Sequence, residues 1–154
     1  MTIPELIHIE AGSFVFEGDF LGKCDPEKKC DMTITRPFRL SITPVTQGTW
    51  KSVMGGEPWN TENAFWNSLF FPDDDLKTAE IDGFVAGEDC PAVGVSWHDA
   101  MAFCEALSSQ TGRRFRLPSA VEWQYAYRAG TVTRFFWGET EEESGRWGWH
   151  DENS

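Results

Sequence analysis

Four cysteines and three histidines supply the thiol and imidazole side chains of this 154-residue sequence, the usual ligands of zinc. Cys24 and Cys30 are separated by five residues in a polar stretch. Two thiolates and a histidine could hold zinc, but zinc sites usually place two to four residues between paired ligands, and no second Cys or His pair lies at a matching distance. The spacing therefore favours a disulfide or two thiols in a surface loop over a zinc site.

The other candidate side chains form no recognisable catalytic pattern. His8, His98 and His150 lie far apart, outside any H-x-x-x-H or H-E-x-x-H arrangement, and are expected to be surface residues or residues with satisfied hydrogen bonds. Cys104 falls on the apolar positions of a predicted helix and is expected to behave as a small core residue. No G-x-S-x-G, P-loop or G-x-G-x-x-G sequence occurs. The residues alone thus identify no catalytic set.

Composition limits the class of protein. The sequence is 40% hydrophobic and contains 8 Trp and 12 Phe, which is enough for an aromatic-rich core or binding surface. Its formal charge of −12 argues against a nucleic-acid partner. No apolar run is long enough for a membrane span, and the first residues do not resemble a signal peptide. We therefore expect one domain over residues 1–154, of α+β class, located in the cytoplasm and not in a membrane.

Alternating and clustered apolar residues predict strands in the first third of the chain. IPELIHIEAGSFVFEGD reads as two short strands joined by a tight turn, and LGKCDPEKKCDM reads as a polar loop. TITRPFRLSI predicts one or two further strands, with Pro37 keeping part of the segment at a sheet edge. Residues 57–90, which include the acidic run Asp73 to Asp75, read as a long surface insertion with its own aromatic anchors.

Capping residues predict three helices. Thr46 begins the first, and Gly55 ends it. Ser96 and Asp99 form a capping box for the second, whose apolar residues Trp97, Ala100, Met101, Cys104 and Leu107 share a face before Gly112 ends the helix.

The third helix begins in RFRLPSAVEWQYAYRAG. Ser119 and Glu122 form its capping box, Trp123, Ala126 and Tyr127 line one face, and Gly130 ends it. The sequence after Gly130 predicts a strand, an acidic loop and an aromatic tail.

The order of these segments resembles the formylglycine-generating enzyme family, also called the sulfatase-modifying-factor domain. The matching segments are IPELIHIEAGSFVFEGD, VTQGTWKSVMGGEP, CPAVGVSWHDAMAFCEALSSQTG and RRFRLPSAVEWQYAYRAGTVTRFFWGE. The resemblance implies a C-type-lectin-like α+β fold with little regular secondary structure. One departure is mild: where the family has Thr-Glu-Ala-Glu-Trp-Glu, this chain has SAVEWQ, which keeps Glu122 and a core Trp123.

A larger departure concerns the family's later motifs, G-N-V-W-E-W, R-G-G-S-W and the cysteine pair that binds copper and oxidises a substrate cysteine, none of which occurs here. The resemblance therefore implies a domain without its C-terminal part, with no catalytic or cofactor-binding residue in this chain and copper expected only in the full-length family enzyme. Asn153 is the one position that matches a calcium ligand of the family. A protein or peptide substrate, or a partner chain, is the implied binding partner.

Two other functions remain open at this point. The same fold serves as a non-catalytic C-type-lectin-like ligand-binding or display module, in which Trp137, Trp147 and Trp149 would stack on a sugar or peptide unless they pack in the core. A fragment of an ergothioneine-type sulfoxide synthase is the third alternative, but the extra helical domain with paired histidines is missing.

Overall fold

A computed structural model of the protein describes residues 2–17, 29–59 and 87–148. The chain divides into two compact units, one formed by Met1–Ile7 and Ser41–Leu117 and the other by His8–Leu40 and Pro118–Ser154. No helix within the described ranges is long and apolar enough to cross a lipid bilayer.

The strands of the described residues form two two-stranded sheets. They are β1 (Leu6–Ile9), β2 (Gly12–Glu17), β3 (Lys29–Ile34) and β4 (Phe38–Ser41). β1 pairs with β4, and β2 pairs with β3 in an antiparallel register that sets Phe14 opposite Met32. The prediction of two strands before residue 18 is confirmed, although those two strands pair with later segments and not with each other.

The structure differs from the strand prediction at the start of β3 and defines the position of Pro37. The predicted polar loop over residues 21–32 is wrong at its end, because Lys29 to Met32 belong to β3. Polar residues can occupy a strand when the pairing partner, here β2, supplies the backbone hydrogen bonds. Pro37 lies between β3 and β4, where its missing N–H removes no bond from a ladder.

The first unit is built on α1 (Gln47–Met54), which begins and ends as predicted. The Thr46 hydroxyl accepts the amide of Thr49 at 3.2 Å, and Gly55 closes the helix with φ of 75°. Positive φ is costly for a residue with a Cβ, which explains the glycine.

Helix α2 (Trp97–Thr111) is the longest helix of the described residues and carries the predicted capping box. The Ser96 hydroxyl accepts the Asp99 amide at 3.2 Å, and the Asp99 carboxylate accepts the Ser96 amide at 2.9 Å. Gly112 ends the helix in the left-handed conformation. Local sequence chemistry therefore places both ends of α2 correctly.

The core of the first unit lies between α1 and α2. Trp50, Val53, Phe103 and Leu107 are buried together, and the rings of Trp50 and Phe103 stack with centroids 5.2 Å apart. Burying aromatic and aliphatic side chains of this size stabilises a fold by about 1.5–3 kcal/mol each. One expected core residue is absent from this cluster: Trp97, on the predicted apolar face of α2, is 63% exposed.

The second unit contains the β2–β3 hairpin and α3 (Ala120–Arg128). The Ser119 hydroxyl accepts the Glu122 amide at 3.2 Å, and the Glu122 carboxylate accepts the Ser119 amide at 2.8 Å, so the predicted capping box is confirmed. The predicted end of α3 is displaced, because Ala129 adopts the left-handed conformation at the C-cap with φ of 47° and Gly130 follows it.

The strand predicted after Gly130 is wrong for residues 131–148. Those residues form a turn with an isolated bridge between Phe135 and Gly138, followed by the short helix α4 (Ser144–Trp147). The aromatic run Phe135-Phe136-Trp137 has strong strand propensity, but its rings contact one another and the flanking helices instead.

Candidate functional site

Cys104 is placed as a core residue and not as a reactive thiol. It lies half-buried on α2 and packs against the cluster formed by Trp50 and Phe103. Burial raises the pKa of the Cys104 thiol, and the nearby Glu105 carboxylate raises it further. Because the thiolate is the form that attacks and binds metals, the raised pKa disfavours both reactions at Cys104. The sequence prediction for this residue is confirmed.

Cys90 belongs to a segment held against the start of α1. Its carbonyl accepts the Gln47 amide at 2.8 Å, and the buried Gln47 side chain accepts the amide of Gly87 at 3.1 Å and donates to the carbonyl of Pro91 at 3.3 Å. Gly48 allows this close approach, since a Cβ there would lie 3.1 Å from the Glu88 carbonyl oxygen. The backbone of this segment therefore has a structural role.

The described residues show no metal-binding group of the kind that the family resemblance implies. A copper–thiolate site needs two soft thiolates close together, and burial raises the pKa of the Cys104 thiol, which disfavours its thiolate form. No group of three or more His, Cys, Asp or Glu side chains among the described residues could hold a metal ion. The predicted calcium ligand Asn153, together with Cys24, His150 and the acidic run Asp73 to Asp75, lies outside the described residues. The calcium site thus stays a prediction.

The described histidines lie at the surface, as predicted. His8 pairs with Glu10 at 3.2 Å, with half of its side chain exposed. His98 meets the ring of Trp97 edge-on with centroids 5.1 Å apart.

Helix α3 presents aromatic residues on two opposite faces. Tyr125 points to the β2–β3 hairpin, where its ring lies 5.5 Å from that of Phe14 and its hydroxyl occupies the space that a Cβ at position 12 would need. Residues two positions apart on a helix are rotated by about 200° from each other, so Trp123 and Tyr127 both lie opposite Tyr125. They are four residues apart and therefore share one face. Because Gly12 has no Cβ, the hairpin can lie close to the face of α3 that carries Tyr125.

The second face of α3 continues into the turn that follows it. Trp123 stacks on Tyr127 with centroids 5.3 Å apart and planes 8° from parallel. Tyr127 meets Phe136 edge-on at 5.2 Å, and Phe136 meets Trp147 of α4 at 5.4 Å. The rings of Trp123, Tyr127, Phe135, Phe136, Trp137 and Trp147 form one connected set, which we call the aromatic face.

Polar contacts fix the turn that carries the aromatic face. The Arg128 guanidinium donates to the Thr133 carbonyl, and the Thr133 hydroxyl donates to the Phe135 carbonyl at 2.6 Å. The Arg134 guanidinium lies over the Phe135 ring, 5.0 Å from its centroid, and pairs with Glu141 at 2.9 Å. These contacts hold the rings in one arrangement without burying them.

The aromatic face is open on its outer side. Trp123 is 50% exposed, Trp147 is 51% exposed, and α3 has no buried residue. The expectation that Trp123 is a core residue is therefore wrong for the described structure. Trp137 donates its indole N–H to the Thr140 carbonyl at 3.1 Å, while Trp149 lies outside the described residues.

Comparison with known proteins identifies the family. A model of the sulfatase-modifying factor enzyme 1-like domain matches residues 1–153. The chain is 27% identical to the inactive C-alpha-formylglycine-generating enzyme 2 of Mus musculus, over 88% of this chain and 51% of that protein. It is 34% identical to the formylglycine-generating enzyme of Streptomyces coelicolor, over 60% of this chain and 26% of that protein.

A solved structure has a similar fold. PvdO from Pseudomonas aeruginosa superposes with a TM-score of 0.56 and 26% sequence identity, covering 82% of this chain and 48% of that one. This likeness agrees with the expected formylglycine-generating-enzyme type of α+β fold. The chain spans about half the length of PvdO and of the mouse relative.

Proposed function

The chain belongs to the sulfatase-modifying factor enzyme 1-like domain family, and we propose that it supplies scaffold to a formylglycine-generating-enzyme-type domain without itself oxidising a substrate cysteine. The placement of Cys104 carries this proposal. In the resemblance described above, copper bound by two cysteines supplies the oxidising chemistry, whereas this thiol is packed against the core of the first unit, where burial raises its pKa.

The relatives support a scaffold role in a second way. They include proteins named as formylglycine-generating enzymes and two named as inactive. The family fold thus occurs with and without the activity, and fold alone does not supply function. A polypeptide, either a substrate segment or a partner chain, is the class of binding partner that we propose.

Turnover of a peptide tests the proposal. The 154-residue chain is incubated with copper(I), oxygen, a thiol reductant and a peptide containing C-x-P-x-R, and the mass of the peptide is followed. We expect no conversion of the cysteine to formylglycine, while the Streptomyces coelicolor enzyme under the same conditions serves as the positive control. Conversion of the peptide cysteine by the chain would refute the proposal.

A non-catalytic ligand-binding module is the second candidate function, and the half-exposed indoles of Trp123 and Trp147 favour it. Indole faces in water can stack on the apolar side of a sugar ring or on a peptide side chain. Titration with neutral oligosaccharides distinguishes this function, since saturable quenching of tryptophan fluorescence that disappears in Trp147→Ala would support it. A flat titration curve would leave the scaffold role.

A further inference from the structure

We propose that the segment between α2 and α3 is a processing site, at which an endoprotease specific for paired basic residues hydrolyses the Arg114–Phe115 peptide bond. The two fragments stay associated after the cut. The reaction consumes one water molecule: its oxygen becomes part of the new carboxyl group of Arg114, and the amide nitrogen of Phe115 gains a hydrogen and becomes an amino terminus. This modification goes beyond the proposed function and does not depend on it.

The arginine pair lies in an exposed connecting segment. Residues 112–119 join α2 to α3 and form neither helix nor strand. Arg113 and Arg114 are both exposed there, and the boundary between the two compact units follows Leu117. Exposed segments between structural elements are the preferred sites of proteolytic nicking, because a protease binds its substrate in an extended form.

The other basic side chains of the described residues are less suited to cleavage. Five of them belong to helices or strands: Lys29, Arg39, Lys51, Arg128 and Arg146. Arg36 precedes Pro37, whose ring makes the bond between them a tertiary amide that trypsin-like proteases cleave poorly. The amide of Arg134 donates to the Glu139 carboxylate at 3.3 Å, and its guanidinium pairs with Glu141 at 2.9 Å. The pair between α2 and α3 is therefore the favoured site within the described ranges.

Side-chain hydroxyls of α2 hold the backbone of this segment. The Ser108 hydroxyl accepts the N–H of the Arg114–Phe115 bond at 2.8 Å, and the Thr111 hydroxyl accepts the amide of Arg113 at 3.3 Å. The Phe115 ring packs against the core of the first unit. Cleavage therefore requires local opening of the segment, and the bond to Ser108 contributes to the cost of that opening.

Contacts on the far side of the cut explain why the fragments stay together. The fragment that begins at Phe115 carries α3, whose Tyr125 ring lies 5.5 Å from that of Phe14 in the β2–β3 hairpin. The Tyr125 hydroxyl also fills the space beside Gly12. Breaking one backbone bond in the connecting segment removes none of these contacts. We therefore expect a nicked chain that elutes as one particle in native buffer and separates in urea.

Limited digestion of the full 154-residue chain tests the site. The probe is kexin, a subtilisin-like endoprotease that cuts after paired basic residues, and mass spectrometry identifies the fragments. We expect a cut after Arg114 and a rate at least about tenfold lower in an Arg113→Gln, Arg114→Gln variant. Arg146→Gln, which removes a basic residue within α4, should keep the original rate. The chain's other basic pair, Lys28–Lys29, gives fragments of different mass and is scored separately.

A second pair of variants tests local opening. Ser108→Ala removes the acceptor of the Phe115 amide and should speed cleavage about three- to tenfold, as expected for the loss of one hydrogen bond. Ser96→Ala weakens the opposite end of α2 and should change the rate by less than about twofold. Equal acceleration in both variants would show that cleavage needs unfolding of the whole chain, and would overturn the inference.

Three further results would overturn the inference. One is a native chain that kexin leaves intact after Arg114 under conditions that cut the urea-unfolded chain there. Another is a cut in the connecting segment that survives the double arginine substitution. Fragments that separate in native buffer during size-exclusion chromatography would refute the associated two-fragment form.

Discussion

The thiol of Cys104 shows how its surroundings set the chemistry of a single residue. Burial against the core raises its pKa, so that a smaller fraction is thiolate at a given pH. We expect iodoacetamide at pH 8 to modify Cys104 in the native chain at least about tenfold more slowly than in the urea-unfolded chain. Peptide mapping by mass spectrometry identifies the adduct, with Cys104→Ala as its control. Equal rates in the two states would mean that the thiol is not protected.

Leu107 is the most buried side chain of the described core, at 1% exposed. Leu107→Ala should lower the free energy of unfolding by about 2–5 kcal/mol, because it removes buried methyl groups and leaves a cavity beside Phe103. Val132→Ala is the matched control: Val132 is 90% exposed, and its truncation should change stability by less than about 0.5 kcal/mol. Urea unfolding measures both, and similar values for the two variants would contradict the described core.

At the scale of elements, the Ser96–Asp99 capping box should control the stability of α2. Ser96→Ala removes the acceptor of the Asp99 amide and should cost about 1 kcal/mol. Thermal unfolding at pH 7 measures the effect. Thr111→Ala, at the other end of the same helix, removes a hydroxyl that does not cap the N-terminus and is a suitable comparison. A Ser96→Ala variant as stable as the parent would show that the cap contributes nothing.

The same capping box predicts a dependence on pH. Hydrogen bonds from the Ser96 hydroxyl and amide lower the pKa of Asp99 below its ordinary value. A carboxyl whose pKa is lower when folded stabilises the fold above its unfolded pKa, and that contribution is lost as the pH falls through the folded pKa. The stability difference between the parent and Asp99→Asn should therefore shrink below about pH 4. Urea titrations from pH 7 to pH 2.5 measure it, and a constant difference would contradict the assignment.

Local chemistry explains which elements could be predicted from the sequence. Thr46, Ser96 and Ser119 each cap a helix through atoms three residues away, and such contacts can be recognised without knowledge of the fold. The pairing of β2 with β3 joins residues far apart in sequence, and the polar start of β3 was therefore predicted as loop. The prediction of a strand after Gly130 is wrong because ring contacts among Phe135, Phe136 and Trp137 outweigh the strand propensity of these residues.

At the scale of the whole molecule, the candidate site was only partly predictable. Periodicity showed that Trp123 and Tyr127 share a face, but it could not show whether another segment covers that face. Trp97 was placed in the core for the same reason and is exposed. The sequence offers Trp147 as a stacking residue, yet its connection to α3 through Phe136 depends on the three-dimensional path of the turn. Resemblance to the family, which rests on the order of the segments, supplied the fold type that these patterns could not.

The two units of the chain differ in how many described side chains they bury. Among the described residues, Trp50, Val53, Phe103 and Leu107 are buried in the unit that contains α2, whereas Ile34 is the one buried hydrophobic residue of the unit that contains α3. Amides open less often, and exchange more slowly, where buried contacts give a segment greater local stability. In the 154-residue chain at pH 7, we therefore expect the amides of α2 to exchange at least about tenfold more slowly than those of α3. Mass spectrometry of peptic peptides from the two helices measures the ratio. Faster exchange in α2 would contradict the described distribution of buried residues, because the better-packed helix would then be the less stable one.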